Sequence, residues 1–535
     1  MKIVKGIAMY TLIAIGVVAA VGILLMGFMF LIPSFKLFGY GFVNNSKTEY
    51  LSTYNFNRDT DAGYATENVV LNITTDKGIN VHILADSSDN SCSIATTLSN
   101  RYYGFYKDNR KITTKTNKVT WDNGSHTMTY DLELVGIDGA INYSEKCYVL
   151  VKIPRLKLNA GIASNTPLNY TFNVKTENGD VEVAGANVDG TFAGGINLKS
   201  LDVATNKGDL VLNGAGNVVN KHEKPTSASF THFALSTNGG KFDFSSLTDG
   251  VNVTGNVTLN GTRSDYTFTK FNVTGNLEIA GNNIAFISPK LNAANVTYNA
   301  TSGLFKVTDT LTVPGETSIR SENAAVTLGT VAAGGVETTL GINTQYGDIT
   351  VGTTNVVSTL IGNHGNIKVT KANKRIIAET VYGDITITEY AESAQVTTTR
   401  GRVTAHSTYA DVDSEFMTEV ILKGKAVVNL TTGQMPFNIT SSDNATVNIT
   451  VTAVRAAFAG EDAVSTVNMT KGTLNIHLDN TDAYKIKATG TISGKPSATL
   501  DSITSGTVYE VLFEDGEDVY AHSFFDLRAP KINFV

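Results

Sequence analysis

The sequence predicts an all-β protein in which a β-solenoid ectodomain follows a single N-terminal transmembrane helix. Three observations lead to this fold class. Residues 6–32 carry no charged side chain. Most of the remaining chain consists of short segments in which apolar and polar residues alternate, separated by Gly, Asn and Asp. A glycine also recurs every 18 residues between positions 347 and 401. Together they indicate short strands wound into repeated coils behind a membrane segment.

The N-terminal segment is expected to be an uncleaved membrane anchor in which residues 7–32 span the bilayer. An apolar helix of this length crosses about 30 Å of hydrocarbon. The apolar run continues into Pro33 without the small residues of a signal-peptide cleavage site. Two lysines precede the run and one follows closely, so the positive-inside rule places residues 45–535 outside the cell. Residues 1–45 are therefore predicted to be a cytoplasmic tip, the anchor and a juxtamembrane linker.

A pilin-type leader is the alternative interpretation of the same segment. Lys5 and Gly6, followed by an apolar helix, resemble a prepilin peptidase site, after which the helix would pack in a filament core. Thr11 stands where bacterial type IV pilins carry a Glu, which departs from that pattern. Cleavage near Gly6 would make the chain a filament subunit.

Residues 46–160 differ in composition from the rest and are predicted to form a small β domain or an N-terminal cap. They contain the only Trp, both cysteines and a cluster of aromatic residues. We expect a disulfide between Cys92 and Cys147, worth about 4 kcal/mol in the chain-entropy model, with two unpaired buried thiols as the alternative. The aromatic cluster could stack on sugar rings, although such clusters more often pack in cores and at edges. The candidate glycan contacts are Tyr102, Tyr103 and Tyr106.

A repeated turn-and-strand unit runs through residues 161–475. Each unit has Gly at a turn, usually followed by Asp or Asn, with apolar side chains two and four residues beyond the Gly. A coil of about 18 residues, stacked on the next at about 4.8 Å, would bury apolar side chains that one short strand cannot bury alone. Glycine is expected there because it permits positive φ, and the following side chain because it satisfies turn backbone groups. The predicted repeat turns are Gly179, Gly208, Gly347, Gly365, Gly383 and Gly401.

These units resemble those of a known family. Residues 176–183, TENGDVEV, follow the pattern T-x-x-G-D-[VIL]-x-[VIL]. Such units behind one membrane segment resemble the β-strand-repeat family named as adhesins, a domain of unknown function found in bacteria and archaea. The resemblance covers about residues 161–475. It implies a β-strand-repeat fold and an adhesive role, and it supplies no catalytic residues. A pair of β-sandwiches, in which Gly-Asp would mark hairpins, is the alternative fold.

The C-terminal residues 476–535 lose the repeat and are predicted to form a β cap. The last coil of a solenoid has an open edge that must be covered, which makes a cap the expected structure. An acidic turn in this segment lacks the spacing of an EF-hand and of the Gly-rich calcium repeats, so no metal site is predicted.

Charge and motifs indicate a protein that works by surface presentation. Of 42 Lys and Arg, three lie in residues 1–36, which hold no acid, so the remainder carries 39 basic and 49 acidic residues, a net charge of −10. This opposes nucleic-acid binding. The eight His are scattered, and metalloprotease, nucleophile-elbow and P-loop motifs are absent. We therefore expect no enzyme activity and no cofactor.

The predicted function is adhesion or envelope structure at the cell membrane, with a surface glycan or protein as partner. The alternatives are a filament subunit and a β-helical polysaccharide-degrading enzyme. Enzymes of the latter kind place charged groups on one face, and stacked coils would align four residues in such a column. The residues of this column are Asp348, Asn366, Asp384 and Arg402.

Overall fold

The structure is a computed structural model, and the chain divides into two compact units, Met1–Ser246 and Leu247–Val535. It describes residues 15–24, 40–55, 66–91, 93–107, 112–136, 142–143, 147–159, 162–218, 222–408, 416–433, 435–452, 463–478, 484–495, 503–511, 514–515, 518–519 and 523–535. Residues 15–24 form a helix, α1. Within the described ranges, no helix combines the length and apolarity needed to cross a membrane. Most of the predicted anchor, residues 7–32, lies outside these ranges, so the anchor stays a prediction.

The first unit contains twenty described strands. They are Tyr40–Asn55 (β1), Asn68–Thr75 (β2), Asn80–Ala85 (β3), Ser93–Lys107 (β4), Thr113–Asp122 (β5), Thr127–Val135 (β6), Asn142–Tyr143 (β7), Tyr148–Ile153 (β8), Leu156–Asn159 (β9), Ile162–Pro167 (β10), Asn169–Thr176 (β11), Val181–Ala184 (β12), Ala186–Val188 (β13), Thr191–Gly194 (β14), Ile196–Thr205 (β15), Leu210–Asn213 (β16), Ala215–Gly216 (β17), Ser227–Phe230 (β18), His232–Thr237 (β19) and Lys241–Asp243 (β20).

Two parallel ladders build the coils of this unit. One ladder runs in the order β6, β2, β11, β15 and β19, and the other in the order β8, β3, β12, β16 and β20. The stacking order differs from the chain order, because the coil formed by β2 and β3 lies between the later coils β6–β8 and β11–β12. The parallel coils therefore begin at Asn68, inside the segment 46–160 that the sequence separates from the repeats.

Antiparallel strands flank the coil formed by β6 and β8. Strand β4 pairs with β1, β7 and β8, and strand β5 pairs with β6, all antiparallel. These strands cover backbone groups that would otherwise form an open edge at this end of the two ladders. Residues 46–160 thus contribute both coils of the solenoid and the strands that flank them.

The second unit contains twenty-three described strands. They are Gly250–Val253 (β21), Val257–Thr267 (β22), Lys270–Val273 (β23), Asn276–Asn292 (β24), Asn295–Val313 (β25), Glu316–Ala333 (β26), Thr339–Thr344 (β27), Ile349–Thr354 (β28), Val357–Gly362 (β29), Ile367–Ala372 (β30), Ile376–Thr380 (β31), Ile385–Tyr390 (β32), Ala394–Thr398 (β33), Arg402–Ser407 (β34), Thr418–Leu422 (β35), Val427–Thr432 (β36), Phe437–Val451 (β37), Ala463–Leu478 (β38), Tyr484–Ser493 (β39), Val508–Val511 (β40), Glu514–Asp515 (β41), Asp518–Val519 (β42) and Ser523–Phe534 (β43).

Each 18-residue coil of this unit contains two short strands, one in each of two facing parallel ladders. Strands β27, β29, β31, β33 and β35 form one ladder, and β28, β30, β32, β34 and β36 form the other. The register follows the glycine period, since Ile349 pairs with Ile367 and Ile367 with Ile385. Parallel ladders of this kind exclude the alternative of two β-sandwiches, whose sheets are antiparallel.

The core lies between the two ladders and follows the alternation of the sequence. In each strand the Val, Ile or Ala side chains are buried, and the Thr or Lys side chains between them face outward. Burying a side chain of this size contributes about 1.5–3 kcal/mol. Upstream, aromatic rings occupy the same interior, as where Phe268 stacks on Phe271 with centroids 4.1 Å apart. The fold is therefore an all-β solenoid, as the sequence predicted.

The last strand of the chain lies between two strands that precede it. β43 pairs in parallel with β38 on one side and with β39 on the other. β40 then pairs antiparallel with the first residues of β39. The C-terminal segment therefore extends the parallel ladders, and only part of its outer strand is covered by an antiparallel neighbour.

Candidate functional site

The repeat glycines lie where consecutive coils approach most closely. A Cβ atom on Gly383 would lie 2.0 Å from the carbonyl oxygen of Gly365, and one on Gly365 would lie 2.1 Å from that of Gly347. In the first unit, a Cβ on Gly208 would lie 1.9 Å from the oxygen of Gly179. None of the six predicted repeat glycines, all of which are described, has positive φ. The predicted reason for glycine is therefore wrong: glycine is required by the backbone of the preceding coil.

The threonine three residues before each glycine closes the turn from inside. The hydroxyl of Thr344 donates to the carbonyl oxygen of Gly347 at 2.7 Å, and Thr205 donates to Gly208 at 2.8 Å. In a later coil the hydroxyl accepts instead, from the N–H of Gly383 to Thr380 at 3.0 Å. These hydroxyls are buried, so each needs a partner. The first position of the repeated motif is thus a turn-closing hydrogen bond.

The Asp or Asn that follows each glycine links one coil to the next. Oδ1 of Asp348 accepts the backbone N–H of Asn366 at 2.8 Å, and Oδ1 of Asn366 accepts that of Asp384 at 2.9 Å. Asp384 in turn accepts the N–H of Arg402 at 2.8 Å. The side chains do satisfy backbone groups, as predicted, but those groups belong to the following coil. The four residues form the column that the sequence analysis considered for an enzyme.

An exposed column of rings stands directly before the repeat glycines. The rings of Tyr346 and His364 stack with centroids 4.8 Å apart, and those of His364 and Tyr382 with centroids 4.6 Å apart. The Arg400 guanidinium lies over the outer face of Tyr382, 5.7 Å from its centroid. These separations match the coil spacing of about 4.8 Å. The stack is therefore a direct product of the 18-residue period.

Backbone hydrogen bonds hold the ring-bearing residues in place. The N–H of His364 donates to the carbonyl of Gln345 at 2.8 Å, and that of Tyr382 donates to Asn363 at 3.0 Å. The rings are about half exposed, yet their backbone cannot move without breaking contacts between coils. The separations leave no space for a sugar ring between two of these rings, because each contact needs about 3.5 Å. The stack is a rigid rail whose edges face solvent.

A groove of about 330 Å³ continues this column on the next coils. Arg402 pairs with Val427 and Val427 with Thr446, so Lys425 and Asn444 take the position that Arg400 occupies one coil earlier. Three cationic side chains line the groove together with one carboxylate, one amide and one hydroxyl. These residues are Arg400, Arg402, Lys425, Asp384, Asn444 and Thr446. Among the described residues, none of the three cations has an ion-pair partner.

A protein-family model described as Toastrack DUF4097 matches residues 70–421, more than half of the chain. The chain belongs to the Toastrack family. Neither a curated protein nor a solved structure matches it. Toastrack DUF4097 is a domain of unknown function, so membership establishes the β-strand repeats and assigns no ligand, partner or location.

The groove lies across the C-terminal limit of the Toastrack match. Arg400 and Arg402 fall inside residues 70–421, whereas Lys425, Asn444 and Thr446 fall beyond it. The sequence analysis missed these residues because it followed the side chain after each glycine. Reading the residue before each glycine shows Tyr346, His364, Tyr382 and Arg400 in the same column. Lys425 could not be found in this way, since the paired residues of that step are 25 positions apart.

The other predicted site residues of this Toastrack chain lie in its first unit. Tyr102, Tyr103 and Tyr106 belong to β4, where their backbone pairs with β1, and their side chains lie outside what the structure describes. Cys147 is buried at the start of β8, and Cys92 lies outside the described residues. The glycan contact and the disulfide both stay predictions. Within the described ranges, no group of His, Cys, Asp and Glu is placed to hold a metal ion.

Proposed function

We propose that this protein is displayed outside the cell on an N-terminal membrane anchor and acts in adhesion or envelope structure, without catalysis. The observation that carries the proposal is the exposed rail of Tyr346, His364 and Tyr382, which continues into a groove of unpaired cations. A surface whose backbone is held from coil to coil is already in its binding conformation, so binding loses little conformational entropy.

The hydrogen bonding of the carboxylate column supports a structural role for those residues. Oδ1 of Asp348 and Oδ1 of Asp384 each accept a backbone N–H of the following coil. The two carboxylates stand two coils apart, about 9.6 Å at the usual strand spacing, near the upper limit for an inverting glycosidase pair. Binding without cleavage is therefore the function that this face supports best.

The location rests on the sequence of the N-terminus and on charge. Residues 6–32 carry no charged residue, and lysines precede them. The remainder carries a net charge of −10, which favours solubility and opposes a general attraction to nucleic acid. An anchored solenoid would present its turn columns at fixed positions, so that several weak contacts with a repetitive surface act together.

Two measurements test this proposal. Labelling of intact cells with a membrane-impermeant amine reagent should modify exposed lysines such as Lys368, and the native N-terminus should be intact by mass spectrometry. The full chain, purified in detergent, should then capture envelope polysaccharides or neighbouring cells saturably, with the recovered glycans unshortened.

Each other outcome contradicts a specific part of the proposal. Shortened glycans would favour a β-helical polysaccharide-degrading enzyme. Cleavage near Gly6 together with an absence of binding would favour a filament subunit. Labelling only after the cells are broken would contradict the location outside the cell.

A further inference from the structure

The groove of the second unit combines positive charge with groups that bind hydroxyls. Arg400, Arg402 and Lys425 are exposed, and within the described part of the chain none of them is paired with a carboxylate. Elsewhere in these coils cations are neutralised, as where Lys374 contacts Glu392 at 2.6 Å one coil later. Cations that are neutralised elsewhere but left open in one concave surface indicate a binding site for anions.

We propose that this groove binds an acidic glycan, whose carboxylate groups pair with Arg400, Arg402 and Lys425 and whose hydroxyls bond to the polar side chains between them. This inference rests on the proposed binding function and names the chemical class of its ligand. Guanidinium groups suit carboxylates because their fork of N–H donors matches two carboxylate oxygens.

The position of the cations suits a chain that lies along the stacked coils. Arg400 and Lys425 occupy the same place on successive coils, so their backbones stand about 4.8 Å apart along the stack. Arg402 is two residues along the strand from Arg400 and faces the same side of the sheet, because side chains alternate. The three cations therefore form a compact cluster that contacts adjacent units of a polymer.

The remaining lining favours a sugar over other polyanions. Asn444 and Thr446 offer amide and hydroxyl groups, and Asp384 retains acceptor capacity beyond the N–H of Arg402. A carboxylate acceptor suits hydroxyl donors of a sugar and repels the dense charge of a phosphodiester backbone. The net charge of −10 outside residues 1–36 adds to that repulsion for long nucleic acids.

The rail of Tyr346, His364 and Tyr382 defines the end of the groove. Arg400 covers the outer face of Tyr382, so the guanidinium plane is oriented by a ring that is itself stacked on His364. An arginine ordered in this way loses less side-chain entropy when it pairs with a carboxylate. The rail is thus a positioning element, and the cations are the groups that contact ligand.

The test uses the full chain in detergent and measures binding by isothermal titration calorimetry. The probe is an oligogalacturonate, and its fully methyl-esterified form is the neutral counterpart. The wild type should bind the acid form saturably, less tightly as salt is raised, and at least about tenfold more tightly than the ester.

Two double variants separate the groove from overall charge. Arg400→Ala with Lys425→Ala should weaken binding at least about tenfold. Arg320→Ala with Lys368→Ala removes the same two charges from exposed positions outside the groove and should change binding less than about twofold. Asn444→Ala is a third variant, which leaves the charge unaltered and should weaken binding of both probes. Circular dichroism checks that each variant retains its strand content.

Several results would overturn the site. They are equal loss in both double variants, equal affinity for the ester, absence of binding to the oligogalacturonate, and affinity for single-stranded DNA or anionic phosphatidylglycerol vesicles that matches the acid glycan. If the groove variant captures envelope material as the wild type does, the site is overturned while the proposed function stands. If the oligogalacturonate binds in the groove but no envelope material is captured, the site stands and the proposed function fails.

Discussion

The long coils of the first unit and the regular coils of the second unit use the same turn with very different spacing. Gly179 and Gly208 are 29 residues apart, and Gly208 and Gly240 are 32 apart, whereas the later glycines are 18 apart. In both regions the glycine Cα faces the carbonyl of the preceding coil at the same close approach. The Asp link also recurs, because Asp180 accepts the N–H of Asp209 as Asp348 accepts that of Asn366.

The extra residues of the long coils are placed away from this turn. Between the turns at Gly179 and Gly208, the strands β13 and β14 form an antiparallel hairpin of their own over residues 186–194. The ladders on either side of it keep their register, with Val181 paired to Leu210. The comparison teaches that the repeat is a property of one turn, and that coil length is adjusted elsewhere without disturbing it.

The largest expected effect tests whether the glycine does the same work in both regions. Gly383→Ala in the regular coils and Gly208→Ala in the long coils each place a methyl group about 2 Å from a backbone oxygen. We expect each to destabilise its coils by about 3 kcal/mol, because backbone cannot move aside as a flexible side chain can. Hydrogen exchange of the surrounding amides would measure the local free energy of opening.

The matched control is Gly239→Ala, which adds the same methyl group in a turn of the first unit. Its Cβ would meet no atom closer than 3.8 Å, so it should leave the opening free energy within about 1 kcal/mol of the wild type. A small cost at Gly208 with a large one at Gly383 would show that the two regions do not share one turn.

A smaller effect concerns alkaline pH and the regular coils. Tyr390 is fully buried, and its hydroxyl shares a 2.6 Å hydrogen bond with Thr418. Burial raises the pKa of this phenol, since the ionised form would lose its hydration. The unfolded chain therefore loses the proton first, and the free energy of unfolding should fall above about pH 10 by up to about 1.4 kcal/mol per pH unit.

Below about pH 10 the phenol is protonated in both states, and this dependence should be absent. Denaturant unfolding followed by circular dichroism at pH 8 and pH 11 would measure it. Tyr390→Phe should reduce the fall, whereas Tyr346→Phe, in an exposed ring of the rail, should leave it unchanged. An identical fall in the wild type and Tyr390→Phe would show that another group controls the alkaline limit.

The smallest effect tests the Asp and Asn links in both regions. Asp209→Ala in the long coils removes the acceptor of the Lys241 N–H, and Asn366→Ala in the regular coils removes that of Asp384. Each should cost about 1 kcal/mol, the usual net value of one hydrogen bond. Asp209→Asn retains an acceptor and should cost less than half as much. Exchange rates of the Lys241 and Asp384 amides would report the change directly.

The sequence predicted the fold well and the candidate site only in part. Strand positions followed from alternation, and the register of the regular coils followed from the glycine period, as the pairing of Ile349 with Ile367 shows. The groove was not predicted, because Arg400 meets Lys425 and Asn444 across steps of 25 and 19 residues. Those steps differ from the period that the sequence shows most clearly.

By itself, the sequence determined the repeated turn, the two faces of each strand and the family, because these depend on residues that are close together along the chain. Only the tertiary structure decided why the glycine is required, since the clashing oxygen belongs to another coil. It also decided the insertion of β43 between β38 and β39, and the alignment of rings and cations on one face. These features depend on which coil lies on which, and the lengths of the intervening segments do not reveal that order.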